Sequence, residues 1–378
     1  MLPARSLPSL LAVLALALVA ASPAHGADIT RKKAMWGPLI KDNQSLMPVY
    51  AELGVGIFET RLSWREAAPT RPADPRDPSD PAYAWRGPID YAINEAQKYG
   101  IEVLVNVSFT PTWASGSDAP FRAPRRTKDF VNFMEAAARH YPEVKYWMIW
   151  GEPNRTTGFS PATTTSAPES KQKKQRARFY AKMLDETYVR LKKISRSNII
   201  IGGNSYDAAG VAPGFQPARQ WIRNLKLRNG KPPRMDLYGH NPFSSRPPAL
   251  SQRPRSRNGL DFADTDDLLK EVNRHLRQTK GKGKRKRKGK KLKVFLSEYS
   301  LPTDQDNDVF PDFFVSRETQ AQWIRDALQI TRRTKGIYSL GYFKLFDEPP
   351  SDTREEPLWG LITNDGVRKP GFFAWRDG

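Results

Sequence analysis

The chain of 378 residues contains no cysteine, which excludes disulfide bonds, thiolate metal ligands and a cysteine nucleophile. Histidine is also scarce, with four residues in all. The three beyond residue 26 (His140, His240 and His275) are far apart in the sequence, so a zinc site is not expected. Stability must therefore come from burial of a core, for which the chain is long enough.

Short motifs of several enzyme classes are also missing. The sequence contains no GxGxxG and no GxxxxGK[ST], so an open nucleotide-binding sheet loses its main support. It contains no GxSxG, which argues against a serine esterase. The acidic stretch Asp304–Asp308 lacks the glycine and the distal glutamate of a calcium loop, and we interpret it as a surface turn. We expect neither a cofactor nor a metal.

Long apolar runs are confined to the amino terminus. Leu10–Ala21 is uncharged and apolar, and Arg5 is the one charged side chain before it. Ala24–Gly26 has the small-x-small pattern of a signal-peptide cleavage site. This pattern predicts a secretory signal peptide over residues 1–26, and therefore an exported, soluble mature chain of residues 27–378. An uncleaved anchor is the alternative, but the run is short for a bilayer span.

Negative charge is in short supply. Lys and Arg number 61 against 40 Asp and Glu, for a net charge of +21, which draws a secreted protein to polyanions. Lys280–Lys293 holds ten of the basic residues and no acid. We interpret it as a flexible, solvated insertion at 280–291, and a tether to anionic wall polymers is the alternative. No aromatic residues interleave with it, so nucleic-acid binding is not expected.

Apolar runs alternate with amphipathic stretches along the rest of the chain. Short apolar runs predict eight strands, at Ala34–Gly37, Gly56–Leu62, Glu102–Val107, Tyr146–Trp150, Asn198–Gly202, Met235–Tyr238, Leu292–Ser297 and Leu340–Leu345. Helical patterns follow them near 44–53, 88–99, 128–140, 170–196, 216–228, 264–279 and 317–334, with a short eighth at 369–375. Eight such units in one domain favour a closed (β/α)8 TIM barrel over an open doubly wound sheet.

Two glutamates stand where two of these strands end. Glu152 follows the run at Tyr146–Trp150, and Glu298 follows the run at Leu292–Ser297. Carboxylates at the carboxyl ends of barrel strands lie at the catalytic face, and two of them facing each other are what glycosidic hydrolysis requires. We assign Glu152 as acid/base and Glu298 as nucleophile of a retaining reaction. A purely structural role, as a loop cap or an ion-pair partner, is the alternative for each glutamate.

Two basic residues at strand ends are candidates to keep the nucleophile ionised. They are Arg61, at the end of the second strand, and His240, just after the sixth. The tryptophans Trp36, Trp113 and Trp359 lie at strand ends or in the loops that follow, where an indole face either stacks on a sugar ring or fills space.

The residues around these positions resemble the clan of retaining glycoside hydrolases with eightfold barrels, which includes cellulases, β-mannanases, β-xylosidases and α-L-iduronidase. The resemblance is carried by Phe58–Trp64, Thr110–Ala114, Trp150–Asn154, Gly239–Phe243, Ser297–Tyr299 and Trp359–Leu361. It implies the same roles for Glu152 and Glu298. We predict that the substrate is bound by Trp36, Arg61, Trp113, His240, Asn241, Tyr299 and Trp359.

Two positions depart from the pattern of this clan. The clan usually has asparagine, which contacts the sugar 2-hydroxyl, where this chain has Gly151. A tyrosine that helps to position the nucleophile often stands where this chain has Phe243. The resemblance and the signal peptide together predict a secreted hydrolase of O-glycosidic bonds that acts on a carbohydrate polymer or oligomer, and we expect it to be a monomer. The alternative is a non-catalytic, wall-associated carbohydrate-binding protein on the same barrel, tethered by its basic insertion.

Overall fold

The computed structural model describes residues 27–85, 87–161, 167–207, 215–252, 258–280, 287–304, 313–348 and 358–378. The predicted signal peptide, residues 281–286 of the basic insertion and residues 305–308 of the acidic turn lie outside the described residues.

Eight parallel strands form a closed barrel in which each strand pairs with its neighbours in the sequence. Strand β1 closes the barrel by pairing with both β2 and β8. The strands are β1 (Thr30–Trp36), β2 (Val55–Ser63), β3 (Glu102–Ser108), β4 (Tyr146–Ile149), β5 (Ile199–Tyr206), β6 (Leu237–Asn241), β7 (Lys293–Tyr299) and β8 (Ile337–Phe343). The predicted (β/α)8 fold is confirmed, and every predicted strand overlaps an observed one.

Helices surround the barrel, and each follows one of the strands. In the described part of the chain the main ones are α1 (Met47–Glu52), α2 (Gly87–Lys98), α3 (Thr127–His140), α4 (Glu169–Ile194), α5 (Ala218–Asn224), α6 (Thr265–His275), α7 (Arg317–Arg333) and α8 (Pro370–Asp377). Shorter helical turns lie at Trp64–Ala67, Thr112–Ser115 and Phe262–Asp264. Helix α8 confirms the short terminal helix that the sequence indicated. No helix of the described residues is both long and apolar enough to cross a bilayer.

Strand alternation divides the core into two layers, since successive side chains of a strand point to opposite faces. The outer layer lies between strands and helices and includes five tryptophans of low exposure: Trp64, Trp147, Trp150, Trp221 and Trp375. The inner layer fills the barrel with Ala34, Ile57, Leu104, Tyr146, Met148, Ile201, Leu237 and Phe295. Inward side chains beyond this plug, towards the carboxyl ends of the strands, are the ones that can form a site.

The basic insertion joins α6 to β7, so it lies at the amino ends of the strands. Its described ends pair as a short antiparallel hairpin of Thr279–Lys280 with Arg287–Lys288. The Gln278 side chain donates hydrogen bonds to the carbonyls of Pro232 and Pro233, at the start of the β6 segment. The hairpin is therefore on the face of the barrel opposite the carboxyl ends.

Candidate active site

The backbone after β4 turns sharply, and this turn positions Glu152. Trp150 and Glu152 both have left-handed backbones, with φ of 69° and 45°, a conformation that costs on the order of 1–3 kcal/mol for a residue with a side chain. Contacts on both sides hold the turn. The Trp150 indole donates to the Gly158 carbonyl at 2.6 Å, and the Gly151 amide donates to Ser108 Oγ at 3.1 Å.

Asn154 fastens the same loop to the next strand. Its side-chain nitrogen donates to the carbonyls of Tyr206 and Gln216, at 2.8 and 2.9 Å, and its side-chain oxygen accepts from the Tyr206 amide at 2.9 Å. Asn154 is buried, so these bonds form away from water. The Glu-Pro-Asn sequence therefore fixes where Glu152 points, with the asparagine as the anchor.

The two predicted catalytic glutamates come together at the barrel mouth. Asn241, at the end of β6, lies between them and donates from Nδ2 to Glu152 Oε1 at 2.9 Å. The Asn241 side chain also acts to lower the pKa of Glu298, and the charge of Glu152 acts to raise it. One inward-facing asparagine therefore lies near both carboxyl groups.

The surroundings of Glu298 act on its ionisation in both directions. Its burial and the charge of Glu152 together raise its pKa to about 8, and the positive charge of Arg61 acts against them. Arg61, one of the two basic residues predicted to favour the ionised nucleophile, thus acts in that direction. It is exposed at the mouth, and it does not offset the burial.

Arg155 is a site residue that the sequence reasoning missed. It forms an ion pair with Glu152, three residues earlier. Its guanidinium lies over the rings of Tyr206 and Phe215, at 4.9 and 5.0 Å from their centroids. The one sequence signal for this contact is that Arg155 follows Glu152 by three residues. The aromatic rings hold the cation beside Glu152.

A row of ring contacts borders the mouth on the side of β5, β6 and β8. Tyr206 packs on Phe215 at 5.7 Å and on Phe243 at 5.5 Å between centroids. Phe243 continues the row to Trp359 at 6.1 Å, and Trp359 meets Phe343 at 5.9 Å. We call these five residues the aromatic wall. Trp359 is one of the residues predicted for the site. Phe243 contributes a ring at the position where the resembled clan often has a tyrosine.

The floor of the mouth is a small polar network on β1, β2 and β7. The Trp36 indole donates to Ser297 Oγ at 3.2 Å, and Ser297 donates to Glu59 Oε2 at 2.9 Å. Glu59 is fully buried, and burial raises its pKa well above the usual range. It is therefore a neutral acid beneath Glu298. Trp36 thus lies at the floor with its indole nitrogen already bonded.

Three predicted substrate-binding residues do not reach the mouth. His240 is buried on the helix side of β6, with its ring nitrogens bonded to Ser205 Oγ and the Leu260 carbonyl, and burial lowers its pKa to about 4. Tyr299 is buried against Phe262. Trp113 donates its indole N–H to the Ala68 carbonyl, and Arg71 covers its ring at 4.5 Å. All three pack the outer layer.

Among the described residues, no group of three or more His, Asp and Glu side chains is arranged to hold a metal ion. The polar groups at the mouth are two glutamates, an asparagine and two arginines, flanked by aromatic rings. This set can donate and accept protons, stabilise charge and stack on a flat ring face.

Comparison with solved structures identifies proteins with the same barrel. A family 39 glycoside hydrolase from Bacteroides cellulosilyticus WH2 has a TM-score of 0.62 at 17% identity, over 93% of this chain and 63% of that one. A monomeric β-xylosidase from Caulobacter crescentus CB15 has a TM-score of 0.59 at 17% identity, over 93% and 68%. The fold is that of the barrel glycoside hydrolases. Xylanase B from Clostridium stercorarium F9 matches over 92% of this chain and 96% of its own, with a TM-score of 0.53 and 12% identity.

The sequence itself carries less of this similarity. No protein-family model matches the chain, and no curated protein matches it. The chain spans about 63% of the length of the family 39 hydrolase. At these identities the similarity shows the fold alone, so the chemistry must be argued from the residues at the mouth.

Proposed function

We propose that this protein is an exported retaining glycoside hydrolase that cleaves O-glycosidic bonds with Glu298 as nucleophile and Glu152 as acid/base. The observation that carries the proposal is the pair of carboxyl groups at the ends of β4 and β7: Asn241 donates to Glu152, and both Asn241 and the charge of Glu152 act on the pKa of Glu298. Carboxyl groups this closely coupled favour the retaining reaction, which needs a separation of about 5–5.5 Å, over the inverting one, which needs about 6.5–9.5 Å.

The reaction needs one proton shared by the two glutamates. In the first step Glu298 attacks the anomeric carbon while Glu152 gives a proton to the leaving oxygen. Burial opposes ionisation of Glu298, and Arg61, Asn241 and Arg155 favour the charged form that must attack. In the second step the ester has removed the charge of Glu298, and ionised Glu152 takes a proton from water, which hydrolyses the intermediate.

The barrel residues around the pair support these steps. Asn241 orients both carboxyl groups, and the positive charge of Arg61 stabilises Glu298 as it ionises. The aromatic wall offers ring faces to the sugar. Neutral Glu59 beneath the pair adds no negative charge to oppose ionisation of Glu298.

Release of new reducing ends from a panel of polysaccharides tests this function. We expect the chain of residues 27–378 to release them from at least one of the xylans, glucans, mannans, galactans and uronic-acid polymers. Proton NMR of the first product should show the anomeric configuration of the substrate retained. An inverted first product would contradict the mechanism. The alternative is the non-catalytic carbohydrate-binding protein. It would be favoured if no polysaccharide of the panel released reducing ends, and if the protein bound anionic wall polymers in a salt-sensitive way that was lost on deleting residues 281–290.

Replacement of Arg155 by glutamine should shift the pH dependence of kcat/KM upwards. The positive charge of Arg155 acts to lower the pKa of Glu298, so its removal strengthens proton binding by the pair. Both limbs of the profile should therefore move to higher pH, by on the order of one unit. Arg155→Lys is the matched control and should move them much less. An unchanged pH profile in Arg155→Gln would show that the ion pair between Arg155 and Glu152 does not affect the pKa values of the two glutamates.

Replacement of Gly151 by asparagine should raise activity on sugars with a free 2-hydroxyl. A Cβ at this position would meet Asn106 and Ser108 atoms at 3.7–3.8 Å, which is ordinary contact, so the variant should fold. A new hydrogen bond in the transition state should increase kcat/KM by roughly tenfold. Gly151→Ala fills the space without an amide and serves as control. An equal gain on the matching 2-deoxy glycoside would mean that the amide acts elsewhere.

A further inference from the structure

Lys369 immediately precedes α8 and is fully buried, with a side chain that is 0% exposed. A buried ammonium group is costly unless its three donors are bonded and an opposite charge lies beside it. Its Nζ donates to Thr303 Oγ1 and Asp347 Oδ1, each at 2.8 Å, and to the Leu358 carbonyl at 3.2 Å. All three donors of Lys369 are therefore used, and Asp347 supplies the opposite charge.

These contacts join the two loops that follow β7 and β8. Thr303 lies in the first of these loops, and Asp347 and Leu358 lie beyond the end of β8. The Thr303 amide also donates to the Leu358 carbonyl at 2.9 Å. Loops that follow barrel strands form the catalytic face. Lys369 therefore ties the loop after the strand of Glu298 to the neighbouring loop.

The backbone on both sides of Trp359 is held by this network. The carbonyl that precedes Trp359 is the one that Lys369 contacts. The Trp359 carbonyl itself accepts from the Tyr342 hydroxyl at 3.0 Å, and the Gly360 amide donates to Asp347 Oδ1 at 2.8 Å. Three consecutive peptide groups are thereby fixed, and they determine where the indole of Trp359 lies.

The segment that carries Trp359 is also closely packed. A Cβ at Gly360 would lie 2.1 Å from the Asp347 backbone nitrogen, so the chain passes there with no room for a side chain. The Trp359 ring in turn contacts Phe243 and Phe343 of the aromatic wall. A shift of this backbone would therefore displace the indole relative to both rings.

We propose that Lys369 is a positioning residue, which holds Trp359 in the orientation on which a sugar ring stacks. This inference rests on the proposed hydrolase function. Lys369 is buried and acts through Asp347 and the Leu358 carbonyl, without touching the substrate. Its loss would leave both groups without their cation, and the Trp359 indole would no longer be held at the edge of the aromatic wall.

Replacement of Lys369 by methionine tests the proposal. Methionine is a flexible side chain that fills the space without a charge or a donor. On a polysaccharide that the wild type cleaves, KM should rise roughly tenfold and kcat should stay within about twofold, because stacking on Trp359 stabilises the bound sugar and the transition state alike. Trp359→Ala should have the same effect, and adding Lys369→Met to it should raise KM no further.

Lys33→Met is the matched control. Lys33 is also buried, but its Nζ donates to the carbonyls of Trp375 and Arg376 at 2.7 and 3.0 Å, in the last turn of α8. That turn lies at the amino ends of the strands, away from the mouth. Both lysine replacements should lower the melting temperature, since each leaves buried acceptors without a donor. Only Lys369→Met should change KM.

A second variant provides for loss of folding. Lys369→Met leaves the Asp347 charge buried without its partner, which is strongly destabilising. Lys369→Met combined with Asp347→Asn removes both charges and keeps an oxygen that can accept from the Gly360 amide. If the single variant does not fold, the combined variant should fold and show the increase in KM.

The proposal would be overturned if the folded Lys369 variant melted earlier and kept the wild-type KM, as expected of Lys33→Met. It would also be overturned if the increases in KM multiplied when Lys369→Met was added to Trp359→Ala, since Lys369 would then act elsewhere. Either result with an active wild type would leave the hydrolase function standing and remove this inference alone. A wild type that cleaves no polysaccharide would refute the function itself, and the inference with it.

Discussion

Glu298→Gln is expected to lose essentially all turnover, on the order of 10⁴-fold or more, while the barrel remains folded. Glutamine has the same shape and can still contact the Asn241 amide, but it cannot form the glycosyl ester. The loss should therefore appear in kcat for every substrate, including those with excellent leaving groups. Steady-state rates on aryl glycosides measure it.

Stability provides a second readout on Glu298→Gln. A carboxyl group whose folded pKa is raised to about 8 favours folding below its unfolded value and loses that contribution as the pH rises towards 8. Glutamine does not titrate. The melting temperature of the variant relative to the wild type should therefore increase between about pH 5 and pH 8. A constant difference would place Glu298 in a more polar environment than the structure gives it.

Azide distinguishes the nucleophile from other essential groups. In Glu298→Ala the anion can occupy the vacated space and attack the anomeric carbon directly, so we expect recovered turnover and a glycosyl azide of inverted configuration. Recovery with retained configuration would move the nucleophile to another residue.

Glu152→Gln is expected to discriminate sharply between leaving groups. Proton donation matters most for an alkoxide and least for a dinitrophenolate. Native glycosides should therefore lose on the order of 10²–10⁴-fold in kcat/KM, and dinitrophenyl glycosides less than about tenfold. A series of aryl glycosides of graded leaving-group acidity measures this, because the slope of log kcat/KM should steepen in the variant.

Hydrolysis of the glycosyl-enzyme, the second step of the reaction, provides an independent test of Glu152. Without a general base the glycosyl-enzyme accumulates, so a dinitrophenyl glycoside should give a burst followed by slow turnover. Azide should relieve the slow phase in Glu152→Ala and give a product of retained configuration, opposite to the result for Glu298→Ala. Uniform losses across the aryl series would show that Glu152 is not the acid.

The eight strands could be predicted from the sequence because each is a short apolar run. The residues at which the strands end could not be predicted in the same way. Strand β6 was predicted to end at Tyr238 and runs on to Asn241. Inside a strand, alternation applies, so Asn241 faces the mouth while His240 faces the helices. In β7 the alternation itself is interrupted, because the register against β8 shifts between Leu296 and Tyr299. Tyr299 therefore packs behind the barrel, although it has the parity of the inward Phe295. A strand end misplaced by two or three residues reverses such assignments.

The glutamates of the site were accessible because their position depends on topology alone. Arg155 was not, because its approach to Glu152 depends on two left-handed residues in the preceding turn and on rings from β5 and the loop beyond it. The raised pKa of Glu298 was not accessible either. It depends on how deeply this carboxyl group is buried, which a residue pattern does not specify.

The basic hairpin at the amino ends of the strands gives the molecule two faces of different chemistry. An anionic polymer held there would leave the mouth pointing away from the polymer, into the surrounding fluid. A protein anchored in this orientation would not digest its own support. It would instead act on polysaccharide chains that diffuse to it or that belong to a neighbouring surface.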